Sequence, residues 1–266
     1  MLPAKCTAVL SVLLSLLIGC ASVEPERDRP AQLALSPAPL ALWPGLAQLQ
    51  DSDHIALLNL GSEALTWRLR MLRFAKRSID LQTFIWKDDS VGLAVVREVV
   101  AAAERGVRVR VLLDDSFLAH AEPLLRSLSE HPQIHYRIYN PLANRVGGAA
   151  LRELENLPDF HRINHRMHNK LLVVDGRVAI IGGRNQADEY FGYQAGHNFR
   201  DFEMITAGPF LAQLSDVFDL YWNDPWSIPI EHLVDGENTQ DLPSVESWLD
   251  SQASDHGDSL ATQAGE

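Results

Sequence analysis

Cysteine is nearly absent from this chain, which has two cysteines in 266 residues, Cys6 and Cys20. Both lie within the first twenty residues, so the remaining chain has no pair from which a disulfide could form. The body must therefore be stabilised by burial of apolar side chains. With 46% hydrophobic residues, a chain of this length can form one sizeable core.

Long apolar runs are also lacking. The longest run, Ala8 to Ile18, is too short to span a bilayer as a helix. With Lys5 before it and small residues after it, the run predicts a signal peptide over residues 1–19. The chain is therefore expected to leave the cytoplasm.

The end of this signal, Leu17-Ile18-Gly19-Cys20, resembles a bacterial lipobox, in which Cys20 is lipidated and becomes the mature N-terminus. An ordinary secretory signal cut after Gly19 or Ala21 is the alternative. Ala21 is not the aspartate associated with retention in the inner membrane. The resemblance therefore implies a periplasm-facing protein of the bacterial cell envelope, held by lipidated Cys20 and located at the outer membrane.

Positive charge is scarce overall, because the formal net charge is −12. Residues 231–266 contain nine acidic residues and no Lys or Arg, and removing those nine charges from −12 leaves −3 for the rest. We interpret 20–50, rich in Pro and Ala, as a tether, 51–229 as one domain, and 230–266 as an acidic, disordered tail. Basic residues concentrate in the domain, which favours phosphate chemistry there: Arg145, Arg152, Arg162, Arg166, Lys170, Arg177, Arg184 and Arg200.

The domain alternates between helical and strand periodicity. Helices are predicted over 62–76, 90–105, 121–130 and 209–221, and strands over 78–86, 107–113, 134–139 and 199–206. This alternation predicts an α/β fold with a mixed, mainly parallel sheet flanked by helices. The stretch 140–166 has no clear strand period, and a loop of this length is often functional.

A hairpin is predicted at Asp175-Gly176, between the apolar runs 170–174 and 177–181. Side chains two apart in a strand share a face, so the imidazole of His168 and the ammonium of Lys170 are expected to lie side by side. The second strand returns Gly182-Gly183 and Asn185 toward them. Histidine, lysine, close backbone approach and an amide together suit a phosphoryl group.

A surface hairpin with a lysine on its rim and an internally bonded histidine is the alternative. His, Lys and Asp at these fixed offsets arise by chance at about one start in ten thousand, given a few per cent usage of each. The added glycine pair and Asn185 make coincidence a poor explanation.

The residues His168, Lys170, Asp175, Gly182, Gly183 and Asn185 match the HxKxxxxDxxxxxxG[GS]xN motif of the phospholipase D superfamily without a gap. The flanks 79–86 and 198–202 resemble the cardiolipin-synthase-like bacterial branch. The resemblance implies a single phospholipase D-like lobe in which His168 attacks phosphorus to give a phosphohistidine, with no cofactor and no metal.

The resemblance also implies roles for the other motif residues. Lys170 and Asn185 would hold the phosphate oxygens, and Gly183 would let the phosphate approach. Asp175 belongs to the catalytic motif, although its turn position also suits a structural role. Asp201 is the candidate that orients His168, with a strand-edge ion pair to Arg200 as its alternative.

One departure from the cardiolipin-synthase-like branch is important, because enzymes of that branch carry two such motifs in one chain and this chain has no second His-x-Lys. His161 and His165 lie nearby, but lone loop histidines are more often solvated than catalytic. A homodimer could bring two His168 residues together, or a partner could supply the second histidine. The chain could instead be a half-length member, or a lipid-anchored protein that binds phospholipid without turnover.

The lipobox and the flanks favour a phospholipid substrate and membrane attachment, and they make nucleic acid an unlikely partner. A single-motif nuclease remains the enzyme alternative. Tyr190, Phe191 and Tyr193 could contact acyl chains or bases, although core packing is the more common use of such aromatics.

Overall fold

The computed structural model describes residues 23–49, 51–115, 122–142 and 160–233, and all that follows concerns those ranges. The signal peptide, Cys20, most of the 140–166 stretch and the tail beyond residue 233 lie outside them. No helix of the described part is both long enough and apolar enough to cross a membrane.

Eight strands form one sheet in the order β1-β7-β6-β5-β2-β3-β4-β8. The strands are β1 His54–Leu58, β2 Ser78–Thr83, β3 Arg108–Asp114, β4 Ile134–Tyr139, β5 Leu171–Val174, β6 Val178–Gly182, β7 Glu203–Ala207 and β8 Ser227–Pro229. The helices are α1 Gly61–Phe74, α2 Ser90–Glu104, α3 Glu122–Leu128, α4 Phe160–Ile163, α5 Asp188–Phe191 and α6 Leu211–Trp222.

The sheet is mixed, as predicted, but the expectation that it is mainly parallel is wrong. Only the β2–β3 and β3–β4 pairings are parallel, and the other five are antiparallel. Helical crossovers link β2 to β3 and β3 to β4, which makes these pairs parallel. The β5–β6 hairpin, β7 and the edge strands β1 and β8 add the antiparallel part.

Apolar side chains cover the two faces of the sheet with separate clusters. The larger cluster packs α1 and α2 on one face and includes Val109 and Val111. The smaller packs α6 on the other face and includes Leu112 and Phe218. Alternating strand residues supply the two faces, so each face of β3 is buried under a helix.

The α6 face also buries a guanidinium, that of Arg110, which is 1% exposed. Its Nε donates to Asp80 at 2.6 Å and its Nη2 lies 2.8 Å from Asp219. Its guanidinium carbon lies 4.7 Å from the centre of the Phe218 ring. A buried charge is tolerated when it is paired in this way, so this network joins β2, β3 and α6.

The segment predicted to be a tether lies against the domain from Glu26 to Leu46. Arg108 and Arg110 donate to the carbonyl oxygens of Leu33 and Gln32. Ala38 is fully buried, and its N–H donates to the carbonyl oxygen of Asp175 at 2.8 Å. We call residues 26–43 the strap. It is bound through hydrogen bonds of its backbone and polar side chains, so no apolar period in its sequence signals the contact.

Candidate active site

One end of the sheet gathers the motif residues. Strands β2, β3 and β6 finish there and β5 begins there, because β5 runs antiparallel to both β2 and β6. We call it the motif end. His168 and Lys170 precede β5, and Asn185 follows β6, so the strand directions alone bring them to one place.

His168 and Lys170 are in contact, as the spacing predicted. The Nζ atom of Lys170 lies 3.0 Å from Nδ1 of His168 and donates to the His168 carbonyl oxygen at 2.7 Å. His168 is exposed, whereas Lys170 is 5% exposed. The Phe84 ring lies 4.7 Å from the imidazole and 5.3 Å from Nζ. An exposed imidazole thus sits over a nearly buried ammonium.

The surroundings lower the pKa of both groups. Burial lowers the pKa of Lys170 to about 8, against the opposing attraction of Asp201 and Asp114. Partial burial and the charge of Lys170 lower the pKa of His168 below its ordinary 6.5, with Asp114 opposing. Near neutral pH, His168 is therefore neutral and Lys170 is still largely charged.

This arrangement selects one histidine tautomer. A charged ammonium can only donate hydrogen bonds, so Nδ1 of His168 accepts and the neutral ring carries its proton on Nε2. That form is not yet the nucleophile, because Nε2 carries the proton. For Nε2 to attack phosphorus, Lys170 must leave Nδ1, and a bound phosphate is a group to which its ammonium can move.

Asn185 is 2% exposed and held in one orientation. Its Oδ1 accepts from the N–H of Ile85 at 3.0 Å and lies 3.5 Å from the Thr83 hydroxyl. These contacts fix the amide with Oδ1 toward Ile85 and Thr83. Within the described ranges, the Nδ2 group has no hydrogen-bond acceptor. Thr83 and Ile85 flank Phe84, so the free amide donor lies beside the His168–Lys170 pair.

The predicted orienting residue, Asp201, does not hydrogen-bond to His168 in the described part of the chain. Its carboxylate accepts from the N–H of Phe202 at 2.8 Å and acts on Lys170 through its charge. A Cβ atom at Gly183 would overlap both Asp201 carboxylate oxygens. The missing side chain at Gly183 thus makes room for the carboxylate of Asp201, whereas the sequence predicted that it makes room for the phosphate.

Asp175 lies at the opposite end of β5, roughly 16 Å from Lys170 at about 3.3 Å per strand residue. Its carboxylate accepts the N–H groups of Lys76, Arg77 and Ser78 at 2.7–2.9 Å, and Nε1 of Trp43 at 2.8 Å. Its φ of 56° and that of Gly176, 61°, make the predicted two-residue turn. These contacts give Asp175 the structural role that its turn position suggested, and they place it away from the His168–Lys170 pair.

Asp114 is a site residue to which the sequence reasoning gave no role. It is fully buried at the end of β3, accepts from the N–H of Met167 at 2.8 Å, and lies 3.2 Å from Nη1 of Arg166. It thus holds the two residues before His168. The signal was present, because a carboxylate directly after a buried parallel strand is a common position for functional groups.

The other candidates have local roles. His161 and His165 contact each other, with ring centres 5.2 Å apart, and Nδ1 of His165 lies 2.9 Å from the His161 carbonyl oxygen. Phe191 is 3% exposed, and the Tyr190 ring packs 4.8 Å from Phe199. Arg184, inside the motif, crosses to the carbonyl oxygens of Leu58, Asn59, Tyr190 and Asp201.

Two solved structures align with part of this chain at low sequence identity. NucT from Helicobacter pylori is 12% identical, with a TM-score of 0.49 over 67% of this chain and 99% of its own. A phosphatidylserine synthase from Haemophilus influenzae Rd KW20 is 17% identical, with a TM-score of 0.47 over 76% of this chain and 42% of its own.

Curated relatives are closer in sequence. Cardiolipin synthase C of Escherichia coli (strain K12) is 38% identical over 211 residues, which are 78% of this chain and 44% of the relative. An uncharacterised protein of Helicobacter pylori (strain ATCC 700392 / 26695) is 40% identical over 186 residues, 69% of this chain and 37% of the relative. The chain thus spans less than half the length of these two relatives.

The family model described as "Cardiolipin synthase, PLD-like domain" matches residues 69–222, more than half of the chain. This range contains all of the motif from His168 to Asn185 and both residues that bear on its charge, Asp114 and Asp201. The chain therefore belongs to the cardiolipin synthase group of phospholipase D-like proteins.

Proposed function

We propose that the chain catalyses phosphoryl transfer on phospholipids, as a phosphodiesterase or phosphatidyltransferase that passes through a phosphohistidine on His168. One observation carries the proposal: an exposed imidazole, a charged ammonium 3.0 Å from it, and a fixed amide donor meet at one end of the sheet. These are the groups that bind a phosphodiester and attack it.

In the first step, Nε2 of His168 forms a bond to phosphorus and the ester oxygen of the leaving alcohol takes the bonding electron pair. Lys170 and Asn185 donate to the non-bridging oxygens, where negative charge accumulates. Before this attack, Lys170 turns to the phosphate and frees Nδ1, and the neutral ring exchanges its Nε2 proton with solvent for a proton on Nδ1. Nε2 then attacks with its free electron pair, and the phosphorylated ring becomes cationic. In the second step, water or an alcohol attacks phosphorus and releases His168.

The leaving oxygen needs a proton, and this chain offers one motif histidine. A second His168 from another copy, or a histidine from a partner, would give that proton and then accept one from the attacking alcohol. Within the described residues, His161 and His165 bond to each other and do not reach His168. The proposal therefore requires a dimer or a partner chain.

The sequence and the relatives together favour a phospholipid substrate. The relative that matches 211 residues of the chain is named a cardiolipin synthase, and the lipobox predicts an anchor at Cys20 in the envelope. Transfer from one phosphatidylglycerol to the hydroxyl of another would give cardiolipin and glycerol, with His168 as the carrier. A nuclease would act instead on a soluble, polyanionic substrate.

The test is turnover of the full chain on phosphatidylglycerol in mixed micelles, read as cardiolipin, phosphatidic acid and glycerol. His168→Ala should abolish turnover and the acid-labile phosphate bound to the protein, a loss of about three or more orders of magnitude. His165→Ala, which removes an exposed neighbour, is the matched control and should retain both.

Three results would contradict the proposal. Turnover that survives His168→Ala would remove the nucleophile. Hydrolysis of single-stranded DNA without lipid turnover would favour the nuclease. Tight phosphatidylglycerol binding without any product, in the dimer as well as the monomer, would favour a binding protein.

A further inference from the structure

We propose that the strap places the lipid anchor at the motif end of the domain, so that the active site faces the bilayer at short range. The inference rests on the proposed anchoring at Cys20, which is part of the proposed function. It concerns the orientation of the domain relative to the bilayer, which neither the motif nor the relatives specify.

Glu26 and Arg29 bind the start of the strap to the domain. The N–H of Glu26 donates to the Pro225 carbonyl oxygen at 2.8 Å, and its carboxylate lies 2.6 Å from Nδ1 of His232. Arg29 donates to the carbonyl oxygens of Ser227 at 2.8 Å and Asp224 at 3.2 Å. These contacts fix the point at which the N-terminal segment leaves the domain.

That point lies at the motif end of the sheet. β8 runs antiparallel to β4 with Ser227 opposite Tyr139, so the residues before Ser227 lie where β4 finishes. β4 is parallel to β3, and Tyr139 pairs with Asp114. The exit point and His168 are therefore at the same end, separated sideways by roughly 20 Å, since four strand spacings of about 4.8 Å lie between β8 and β5.

Direct contacts also connect the two places. The N–H of Asn140 donates to the Trp226 carbonyl oxygen at 2.8 Å, next to Pro225. The Asn140 carbonyl oxygen in turn accepts from Arg166 at 3.0 Å, two residues before His168. The anchoring point and the site thus share a contact network.

From its exit point the strap runs to the other end of the sheet. It passes α6, where the N–H of Ala34 donates to Asp219 at 2.7 Å, and reaches Asp175, whose carbonyl oxygen accepts from Ala38. Because this path is bound along its length, the part that can act as a leash shrinks from about thirty residues to the roughly six residue steps from Cys20 to Glu26. Six steps reach at most about 20 Å.

The height of the sheet is similar to that reach. Six residue steps, or roughly 20 Å, separate the first and last residues of β3. A domain with its far end on the bilayer would therefore need the whole leash of about 20 Å to be extended, whereas a domain with its motif end on the bilayer would not. The motif end also carries exposed aromatic side chains. Phe199 and Phe202 are 60% and 54% exposed, beside the exposed Arg200, which suits contact with an anionic lipid surface.

The test places a fluorophore at either end of the full, processed chain. After signal cleavage and acylation of Cys20 no free thiol remains, so a single introduced cysteine is labelled uniquely. Asn164→Cys marks the motif end and Glu104→Cys the far end; both positions are exposed. The proteins are reconstituted in phosphatidylethanolamine–phosphatidylglycerol vesicles that contain head-group spin-labelled lipid.

We expect the label at position 164 to be quenched several-fold more than that at position 104. A flexible Gly-Ser insert of about 20 residues between Ser22 and Val23 should make the two labels equal, because it lengthens the leash without touching the strap. Equal quenching without the insert, stronger quenching at position 104, or mass spectrometry showing an unacylated Cys20 would each overturn the inference.

Turnover in detergent micelles, where orientation has no effect, separates this inference from the proposed function. It should be the same with and without the insert. A chain that is oriented but inactive in micelles would contradict the catalytic proposal alone, whereas an active chain with equal quenching would contradict the orientation alone.

Discussion

At the scale of single residues, His168 and Lys170 need opposite protonation states although they lie 3.0 Å apart. His168 must be neutral to attack, and Lys170 must be charged to hold the phosphate. The same burial that lowers the pKa of Lys170 to about 8 also helps lower that of His168 below 6.5. The two shifts together set a pH window for the free enzyme.

We expect kcat/KM to rise as the pH increases through the lowered pKa of the attacking His168. It should fall as the histidine that acts as acid loses its proton and as Lys170 loses its proton near pH 8. Lys170→Arg should remove the Lys170 part of the alkaline fall, because a guanidinium stays charged, at a cost in rate of about tenfold from altered geometry. The measurement is a pH profile of kcat/KM for both proteins. An alkaline limb that is unchanged in Lys170→Arg would assign it to another group.

For a change at Asp175 we expect a loss of stability without a loss of turnover. Asp175→Ala would leave three N–H groups at the start of β2, of which that of Ser78 is buried, and Nε1 of Trp43 without their acceptor. The free energy of unfolding should fall by about 3 kcal/mol, given 1.5–3 kcal/mol for a bond to a charged group. Urea unfolding measures it, with turnover normalised to folded protein.

Asp216→Ala is a suitable control for this change, because it removes an exposed carboxylate from α6 and should shift stability little. If Asp175→Ala instead kept full stability and lost turnover, the catalytic assignment suggested by the motif would be right after all.

At the scale of elements, the segment after β6 contacts the segment before β7 so closely that no side chain fits at Gly183 beside Asp201. Gly183→Ala would drive the Asp201 carboxylate away, because a Cβ atom overlaps both of its oxygens. With that negative charge farther from Lys170, the pKa of the ammonium should fall further, and the alkaline limb of the pH profile should move to lower pH.

The same substitution should lower stability by about 1–3 kcal/mol through overpacking. Gly45→Ala is the matched control, since nothing lies within 4 Å of a Cβ there. An alkaline limb that stays in place in Gly183→Ala would show that Asp201 does not set the charge of Lys170.

The elements divide clearly into those that the sequence predicted and those that it did not. The βαβ region has buried strands and amphipathic helices, so its period is strong, and the predicted bounds agree within three residues from β2 to β4. β1 was missed because four of its five residues are exposed, and β8 because it has three residues. Edge strands of this kind gain their order from a neighbour.

The candidate site divides in a similar way. The pairing of His168 with Lys170 follows from two-residue spacing in an extended segment, and the return of Asn185 follows from the hairpin. The parts that depend on distant segments could not be predicted. Asp114, at the end of β3, accepts from the N–H of Met167, which is 53 residues later in the chain. Trp43 of the strap donates to Asp175, which is 132 residues later.

At the scale of the whole molecule, one motif histidine per chain leads to a quantitative test. If two copies of His168 form one site, with one attacking and the other protonating, a dimer of wild type and His168→Ala has a single histidine and should be inactive. In an equal mixture with free exchange, about one quarter of the dimers are wild type in both subunits.

Turnover of that mixture should therefore be about one quarter of the turnover of wild type at the same total concentration. It would be about one half if each chain carried a complete site, because His168→Ala would then only dilute the active chains. Mixing with His165→Ala controls for exchange and should leave turnover close to the wild-type value. If purified wild type is inactive as both monomer and dimer, yet gains turnover when a second motif-bearing chain is added, the second histidine comes from that partner and the two-fold site is excluded.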